Sequence, residues 1–296
     1  MPYENLHILV LLRESSDPRP PARVITRGAG ISDRGLRRIP NPTDLVALEE
    51  SLSLKEKVGA RVTVLAVGPS RLDDTIRLAF SMGADRGIRF WDHGLDGGDA
   101  VTDARILSRI VSVLEPSLVF TGNRVADRGD DPVPALAAAL SGAPCISAAV
   151  QLHLKPEGVE ALRKADRGGR QKVAAGFPCT VLFDEGETPR YPSVDDLTRS
   201  LSAPIECWHL DQLGIPFWEV GATGAYLSRA EFGTPRPDPV RVVTPDAKLP
   251  AFERIISLLS GGIKAREGRT QTLSPDETAA ELWRILGEEG LTPEGT

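Results

Sequence analysis

The sequence has few of the residues that build disulfide frameworks or metal sites. It contains three cysteines and four histidines in 296 residues. The cysteines, at positions 145, 179 and 207, are odd in number and far apart, which excludes a dense disulfide framework and is typical of a reducing compartment. No Cys, His and carboxylate residues have the spacing of metal ligands, so we expect no metal site. No pattern of nucleophile and general base is visible, and we expect no catalytic residue.

Long apolar segments and an excess of positive charge are absent as well. No apolar run approaches the roughly 20 residues that a membrane-spanning helix needs, so we expect no direct insertion into a membrane. The net charge of −6 argues against binding to nucleic acids or to anionic membrane surfaces. The first residues lack the basic and apolar regions of a secretory signal peptide, and together with the few cysteines this predicts a cytoplasmic protein.

What the sequence does have is an alternation of short apolar runs and helical patterns. Near-continuous apolar runs lie at residues 6–12, 62–67, 87–91 and 118–121. Such runs are typical of strands in a parallel sheet that is covered by helices on both faces. The hydrophobic content of 41% is enough for a sizeable core. We therefore predict an α/β fold with a doubly wound, mostly parallel sheet.

The helices between these runs have recognisable start signals. Asn41 stands before a proline as a predicted N-cap, and Ser70 begins a Ser-x-x-Asp capping box. Asp99 is predicted to open a third helix, and Ser274 begins the capping box of a C-terminal helix. These signals predict four helices, of which the first three alternate with the strands.

The second half of the chain follows a different pattern. Residues 145–154 and 178–183 are predicted strands that flank a polar hairpin. After Trp208 the chain is rich in Gly and Pro with little periodicity, which is typical of an arm lying against a partner. We therefore predict an α/β domain over residues 1–208, followed by an arm and a terminal helix over residues 209–296.

Four stretches of sequence carry a resemblance to a known family. The first two are NPTDLVALEESLSLKE at residues 41–56 and VGPSRLDDTIRLAFSMGADRGI at residues 67–88. The others are PRYPSV at residues 189–194 and DQLGI at residues 211–215. On these motifs the chain resembles the beta subunit of electron-transfer flavoproteins, as a diverged member, over nearly its whole length.

The resemblance implies an adenine-nucleotide-hydrolase-like sheet and a C-terminal arm that clasps an alpha subunit. It also implies an electron carrier rather than a stand-alone enzyme. In the family, the alpha subunit provides most contacts to the redox FAD, and electrons pass from flavin dehydrogenases to a membrane quinone oxidoreductase. The beta subunit holds a second nucleotide, which is AMP or, in electron-bifurcating members, a second FAD. Two alternatives stay open: a bifurcating subunit with a second FAD and an NAD(H) site, and a structural subunit that binds no nucleotide.

The nucleotide contacts of the family fall on eight positions of this sequence. They follow the first strand, precede the first helix, precede Gly68, and continue in the loop after the fourth strand. Because ligands of open α/β sheets bind at the carboxyl ends of the strands, we expect these residues to meet there. The positions are Leu11, Arg13, Asn41, Val67, Asp127, Arg128, Asp131 and Val133.

The loop after the fourth strand departs from the family pattern where a phosphate would bind. If Asp131 is the N-cap of the following helix, Pro132 and Pro134 lie in its first turn, and proline has no N–H to donate. Only Val133 then remains as a donor, and the Asp131 carboxylate places a negative charge at the phosphate position. Arg128 is predicted to offset that charge by pairing with a phosphate or with Asp130. The loop therefore argues against a bound AMP or second FAD.

Three further positions are predicted to contact partners. Lys164 replaces a family Glu that can pair with an Arg of the alpha subunit, and this charge reversal predicts a co-adapted alpha chain. Val194 takes the position of a family Leu that anchors the flavin dehydrogenase, close to Tyr191 of the PRYPSV motif. Asp195 and Asp196 follow where the family has lysines, so we expect a different set of dehydrogenase partners.

Overall fold

The structure is a computed structural model that describes residues 6–19, 25–27, 30–32, 36–227, 247–259 and 272–288. The chain divides into two compact units, Met1–Gly233 and Thr234–Thr296. The central sheet belongs to the first unit. The division into functional domains at residue 208 stays a prediction.

Nine strands form the central sheet. In chain order they are β1 (His7–Leu11), β2 (Arg61–Val67), β3 (Arg86–Phe90), β4 (Leu118–Gly122), β5 (Cys145–Lys155), β6 (Gly158–Lys164), β7 (Arg170–Gly176), β8 (Cys179–Phe183) and β9 (Glu206–Trp208). Their order across the sheet is β7-β6-β5-β8-β4-β1-β2-β3-β9. Strands β5, β6 and β7 pair antiparallel, and the other neighbours pair parallel.

Three short antiparallel pairs lie outside this sheet. They are Glu14–Ser16 with Arg38–Pro40, Ile25–Arg27 with Gly30–Ser32, and Arg124–Val125 with Gly129–Asp130. The third pair lies in the loop that follows β4, and it fixes which charged side chains of that loop face each other.

Helices cover both faces of the sheet. The first unit contains α1 (Pro42–Val58), α2 (Asp73–Met82), α3 (Ala100–Leu114), α4 (Val133–Leu140), α5 (Val194–Ser200), α6 (Leu210–Leu213) and α7 (Gly221–Gly224). Short 3₁₀ turns lie at Ser70–Leu72, His93–Leu95, Asp166–Gly168 and Phe217–Glu219. The second unit contains α8 (Ala251–Leu259) and α9 (Pro275–Glu288). Within the described parts of the chain, none of these helices combines the length and apolar character needed to span a membrane.

The central strands are buried on both sides, which explains their near-continuous apolar sequences. Every residue of β1 is buried, and successive side chains point to opposite faces. Ile8 and Val10 belong to the core that includes α1 and α2, whereas Leu9 and Leu11 belong to the core that includes α3 and α4. Two cores separated by one mostly parallel sheet confirm the predicted doubly wound α/β fold.

The polar end of β1 is His7, which is buried beside Thr63 of β2. The His7 Nε2 atom lies 2.9 Å from the Thr63 Oγ1 atom. Burial, followed in importance by the positive charge of Arg61, lowers the pKa of His7 below 6.5. The ring is therefore neutral near neutral pH and forms part of the core.

Two of the predicted helix starts are confirmed. The Asp99 carboxylate accepts hydrogen bonds from the backbone N–H groups of Val101 and Thr102, and the Thr102 hydroxyl accepts one from the Asp99 N–H. At the start of α9, the Ser274 hydroxyl accepts from the Glu277 N–H, and the Glu277 carboxylate accepts from the Ser274 N–H. Both are reciprocal capping boxes.

Of the other two predictions, the N-cap position of Asn41 is confirmed, whereas the cap at Ser70 is wrong. Ser70 does not cap α2, because the chain first makes a 3₁₀ turn and α2 begins only at Asp73. The turn is closed by the backbone itself, with the Leu72 N–H donating to the Pro69 carbonyl at 3.0 Å. Asn41 does occupy the N-cap position of α1, but its side chain makes no capping hydrogen bond there. Its amide binds the loop after β4 instead.

Candidate functional site

The carboxyl ends of β1, β2 and β3 border a cavity of about 310 Å³. We call it the strand-end cavity. Its apolar walls come from Leu11, Val67, Trp91, Leu95, Leu107 and Val133, and its charged groups from Arg13, Asp96, Asp103, Arg128 and Asp131. A volume of this size lies at the lower end of the range for small-molecule sites.

Six of the eight predicted nucleotide-contact positions line this cavity. They are Leu11, Arg13, Val67, Arg128, Asp131 and Val133. The other two, Asn41 and Asp127, position the surrounding loops. The Asn41 amide accepts from the Ala126 N–H at 3.1 Å and donates to the Arg124 carbonyl at 2.7 Å. The Asp127 carboxylate accepts from the Ser16 N–H at 2.7 Å.

Arg13 is the central cation of the strand-end cavity, and only 11% of its side chain is exposed. Its Nη2 atom donates to Asp44 Oδ1 at 2.5 Å and to the Gly122 carbonyl at 2.6 Å. Its Nε atom donates to Asp44 Oδ2 at 3.0 Å, and its Nη1 atom to Asp131 Oδ2 at 2.8 Å. Burial alone would lower the pKa of Arg13, but the two carboxylates outweigh it and raise that pKa. The guanidinium is therefore charged, and most of its N–H groups donate hydrogen bonds to protein groups.

Asp44, in the first turn of α1, is the residue that fixes the position of Arg13. It is buried and also accepts hydrogen bonds from the backbone N–H groups of Arg13 and Gly122, at 2.7 and 2.8 Å. Gly122 must lack a side chain, because a Cβ atom there would lie 2.1 Å from the Thr43 hydroxyl. The sequence places Asp44 only as an acidic residue in a helix first turn, so its partnership with Arg13 is not visible from the sequence.

The start of α4 differs by one residue from the prediction. Pro132, not Asp131, is the N-cap residue, and its backbone already has right-handed helical angles. The Asp131 side chain nevertheless takes the predicted donor, since its Oδ1 atom accepts from the Val133 N–H at 3.0 Å. Pro132 and Pro134 contribute no donor. The carboxylate of Asp131 thus bridges the helix start and Arg13.

The predicted pairing of Arg128 with Asp130 is wrong. The short antiparallel pair in this loop places Asp130 opposite Arg124, and their side chains lie 3.5 Å apart. Arg128 instead lies 3.6 Å from the Asp127 carboxylate. The Arg128 guanidinium therefore borders the cavity and lies close to the Asp127 carboxylate.

Acidic groups outnumber basic ones in the strand-end cavity. Asp96, Asp103 and Asp131 face Arg13 and Arg128. Burial, reinforced by the negative charges of Asp131 and Asp99, raises the pKa of Asp103 to about 6. Asp103 lines the cavity, although the residue as a whole is exposed.

The residues of the strand-end cavity do not fit the phosphate of a bound AMP or second FAD. A phosphate site at a helix start needs free first-turn N–H groups and an unpaired cation. Here the Val133 N–H is occupied by Asp131, and Arg13 is bound to Asp44, Asp131 and the Gly122 carbonyl. The six cavity residues are brought together as expected, but the Val133 N–H and most of the Arg13 donors are already used, which leaves the exposed Arg128 guanidinium as the available cation.

A larger cavity, of about 580 Å³, lies at the opposite ends of the strands. It is open and bordered by Glu115, Ser117, Phe177 and Cys179, among others. Burial raises the pKa of the Cys179 thiol to about 12, so this cysteine is not a thiolate nucleophile at neutral pH. In the described residues no group of His, Cys, Asp and Glu has the arrangement of a metal site. The strand-end cavity, with its convergent charges, is the stronger candidate.

The predicted partner contacts lie on the surface of the first unit. Tyr191 is 97% exposed and Val194 is 80% exposed. Leu197 and Leu201 are also exposed, and with Val194 they follow the spacing of one helix face along α5 and its end. We call Tyr191, Val194, Leu197 and Leu201 the α5 surface.

A salt bridge that the sequence did not reveal anchors the α5 surface to α1. The Arg190 guanidinium donates to the buried Glu49 carboxylate, with an Nη2 to Oε1 distance of 2.7 Å. It also donates to Glu56, further along α1, and the hydrogen bonds that Arg190 donates to these two carboxylates raise its pKa. The backbone N–H of Arg190 donates to Glu49 as well, at 3.0 Å. This fixes the chain directly before Tyr191.

Lys164, at the end of β6, is held within the chain. Its ammonium donates to Asp184 at 2.6 Å and also contacts Glu185. Asp184 also lies 3.7 Å from the Arg124 guanidinium. Its contact with an alpha chain stays a prediction.

Comparison with known proteins identifies relatives across most of the chain. The family described as "Electron transfer flavoprotein domain" matches residues 29–212. The chain is 28% identical over 222 residues to "Electron transfer flavoprotein subunit beta" of Methylophilus methylotrophus, covering 73% of this chain and 84% of the relative. It is 29% identical over 212 residues to the protein of the same name from Bacillus subtilis, covering 71% and 81%. It is 31% identical over 216 residues to "Protein FixA" of Azotobacter vinelandii, covering 70% and 76%.

Proposed function

The chain belongs to the electron transfer flavoprotein family, on the side of its beta subunits, and from this premise we propose that it works as half of a heterodimeric electron carrier. Its partner is an alpha subunit that holds most of a redox FAD. Electrons enter this FAD from a flavin dehydrogenase and leave to a downstream acceptor such as a membrane quinone oxidoreductase. The observation that carries the proposal is the likeness to beta subunits over about 70% of the chain.

Exposed apolar side chains in the segment after β9 support the proposal that a partner covers this segment. Phe217, Trp218, Tyr226 and Leu227 are exposed, and the rings of Phe217 and Trp218 pack edge to face, 5.3 Å apart. Large apolar side chains grouped in this way are typical of surfaces that are buried on association. We assign this surface to the alpha subunit, together with the arm that follows it in sequence.

The α5 surface is the candidate contact for the flavin dehydrogenase. It offers apolar anchors within a polar rim, as interface hot spots do. The rim is acidic, because Asp195 and Asp196 lie in the first turn of α5 and the Arg199 guanidinium pairs with Asp196. A dehydrogenase with a basic rim is therefore the partner that this surface favours.

A second FAD in this chain, as in a bifurcating complex, is not favoured by the strand-end cavity. Such a cofactor brings a pyrophosphate, whereas Asp131 already holds the donors that would bind it. The second candidate is therefore a beta subunit with one FAD in the heterodimer and no nucleotide of its own.

Cofactor stoichiometry tests the proposal. The chain is co-expressed with its cognate alpha subunit, the complex is denatured, and the released flavin is quantified by chromatography. We expect one FAD per heterodimer, and far less FAD with this chain alone, because the alpha subunit provides most contacts. A complex without FAD would reject the carrier role, and two FAD per heterodimer would establish the bifurcating alternative.

A further inference from the structure

Asp131 lies between the two kinds of donor that bind anions at the start of a helix. Its Oδ2 atom accepts from Arg13 Nη1 at 2.8 Å, and its Oδ1 atom accepts from the Val133 N–H at 3.0 Å. A guanidinium and a first-turn N–H are the groups that a phosphate uses in such sites. The carboxylate also borders the strand-end cavity. It therefore lies where the phosphate of a ligand in that cavity would bind.

The other potential donors leave little for a phosphate. Arg13 has five N–H groups, of which two bind Asp44, one binds the Gly122 carbonyl and one binds Asp131. Pro132 and Pro134, at the start of α4, have no N–H at all. A phosphate binding at the start of α4 would have to displace Asp131 from both of its donors.

The charge around the cavity opposes that displacement. Asp96 and Asp103 line the same cavity as Asp131. The remaining cation, Arg128, is 69% exposed and lies 3.6 Å from Asp127. An AMP phosphate carries close to two negative charges at neutral pH and would meet the carboxylates of Asp96, Asp103 and Asp131.

We propose that Asp131 is a built-in substitute for a ligand phosphate, and that it excludes AMP and other phosphorylated nucleotides from the strand-end cavity. The carboxylate supplies within the chain the anion that Arg13 and the start of α4 require. The subunit is therefore complete without a nucleotide, and adding AMP does not stabilise it. The inference concerns this cavity alone: it does not depend on the FAD that the alpha subunit holds, but a second FAD bound in this cavity would contradict it.

Two variants separate the contributions of charge and of occupied donors. Asp131→Ala removes the carboxylate and frees both the Arg13 Nη1 group and the Val133 N–H. Asp131→Asn removes the charge but keeps a side chain that can still cap Val133. The matched control is Asp130→Ala, one residue earlier, where the side chain is 90% exposed and lies outside the cavity.

Binding is measured by isothermal titration of AMP and of adenosine into the heterodimer of the full chain with its alpha subunit. We expect no saturable AMP binding to the wild type, and a gain of at least about tenfold in AMP affinity for Asp131→Ala. Asp131→Asn lies between them, and Asp130→Ala behaves as the wild type. Adenosine, which lacks the phosphate, gains less than AMP in Asp131→Ala.

Three results would overturn the proposal. They are stoichiometric AMP in the wild-type complex, equal AMP affinities of Asp131→Ala and Asp130→Ala, and equal gains for AMP and adenosine. If Asp131→Ala fails to fold, Asp131→Asn must still exceed Asp130→Ala in AMP affinity for the proposal to stand. The FAD content of the same samples is counted separately, so a failure of the carrier role is recognised independently.

Discussion

The substitution Asp44→Asn tests the arrangement on which the strand-end cavity depends. In the folded chain, the buried Asp44 carboxylate accepts from Arg13 through three N–H groups, one of the backbone and two of the guanidinium. Asparagine has nearly the same shape, but it presents one carbonyl oxygen and one NH₂ group in place of two acceptors. Arg13 is then left buried with two of its donors facing a neutral or repelling group.

The magnitude follows from the burial of both partners. Removing one partner of a buried ion pair costs about 3–5 kcal/mol, because the remaining charge is uncompensated. The pairing of Arg13 with Asp131 persists and places the effect towards the lower end of that range. For a unit of this size, the midpoint of thermal unfolding should fall by roughly 6–12 °C.

The assay is thermal and urea-induced unfolding of the purified chain, followed by circular dichroism, for Asp44→Asn and for the control Asp130→Asn. Asp130 is an exposed carboxylate in the same loop region, and its loss should not measurably change the midpoint. In the double variant Arg13→Met with Asp44→Asn, both charges are gone, so its loss of stability should be smaller than the sum of the single losses by about 0.5–3 kcal/mol. Equal midpoints for Asp44→Asn and Asp130→Asn would refute the reasoning.

Three further predictions concern other parts of the chain. Burial lowers the pKa of His7 below 6.5, so the stability that the neutral ring contributes is complete above pH 6.5 and is lost as the pH falls through the pKa of the folded state. The urea midpoint should therefore fall more steeply below pH 6.5 for the wild type than for His7→Gln, and parallel curves would contradict this. Asp99 accepts from the backbone N–H of Tyr226, so Asp99→Ala should accelerate chymotrypsin cleavage at Tyr226, and an unchanged rate would show that this contact does not hold the segment. Val194→Asp should raise the KM for a flavin dehydrogenase by about tenfold or more while FAD content stays constant, whereas the exposed control Leu140→Asp should not; equal effects would remove the α5 surface from the contact.

The central strands are predictable from the sequence because burial on both faces of the sheet requires an apolar residue at almost every position. β1, β2 and β4 are apolar almost without interruption, since all of their residues except the two ends of β2 are buried. The sequence of β9 has no such apolar pattern. Its three residues include a glutamate and an exposed cysteine, and it forms only by pairing with β3 at the sheet edge. Such an edge strand depends on a distant partner rather than on its own sequence pattern.

The candidate site could be predicted in its positions but not in its bonding. Six cavity residues follow from the rule that ligands bind at strand ends, combined with the resemblance to beta subunits. The role of Asp44 does not follow, because an aspartate in a helix first turn is common and its partner Arg13 is 31 residues earlier. Likewise, the pairing of Asp130 with Arg124 rather than Arg128 depends on the register of a two-residue antiparallel pair. Contacts of this kind are decided by tertiary geometry.

The salt bridge from Arg190 to Glu49 has a consequence for how this lineage can diverge. Loss of Arg190 alone leaves the buried Glu49 carboxylate without its partner, whereas loss of Glu49 alone leaves Arg190, whose side chain is 32% exposed, paired with Glu56. Single substitutions should therefore cost more stability than paired ones, most of all at Arg190. Glu49 and Arg190 should therefore change together among descendants of this chain. In contrast, the side chains of Tyr191 and Val194 are exposed, so they can change independently without rebuilding the scaffold that presents them.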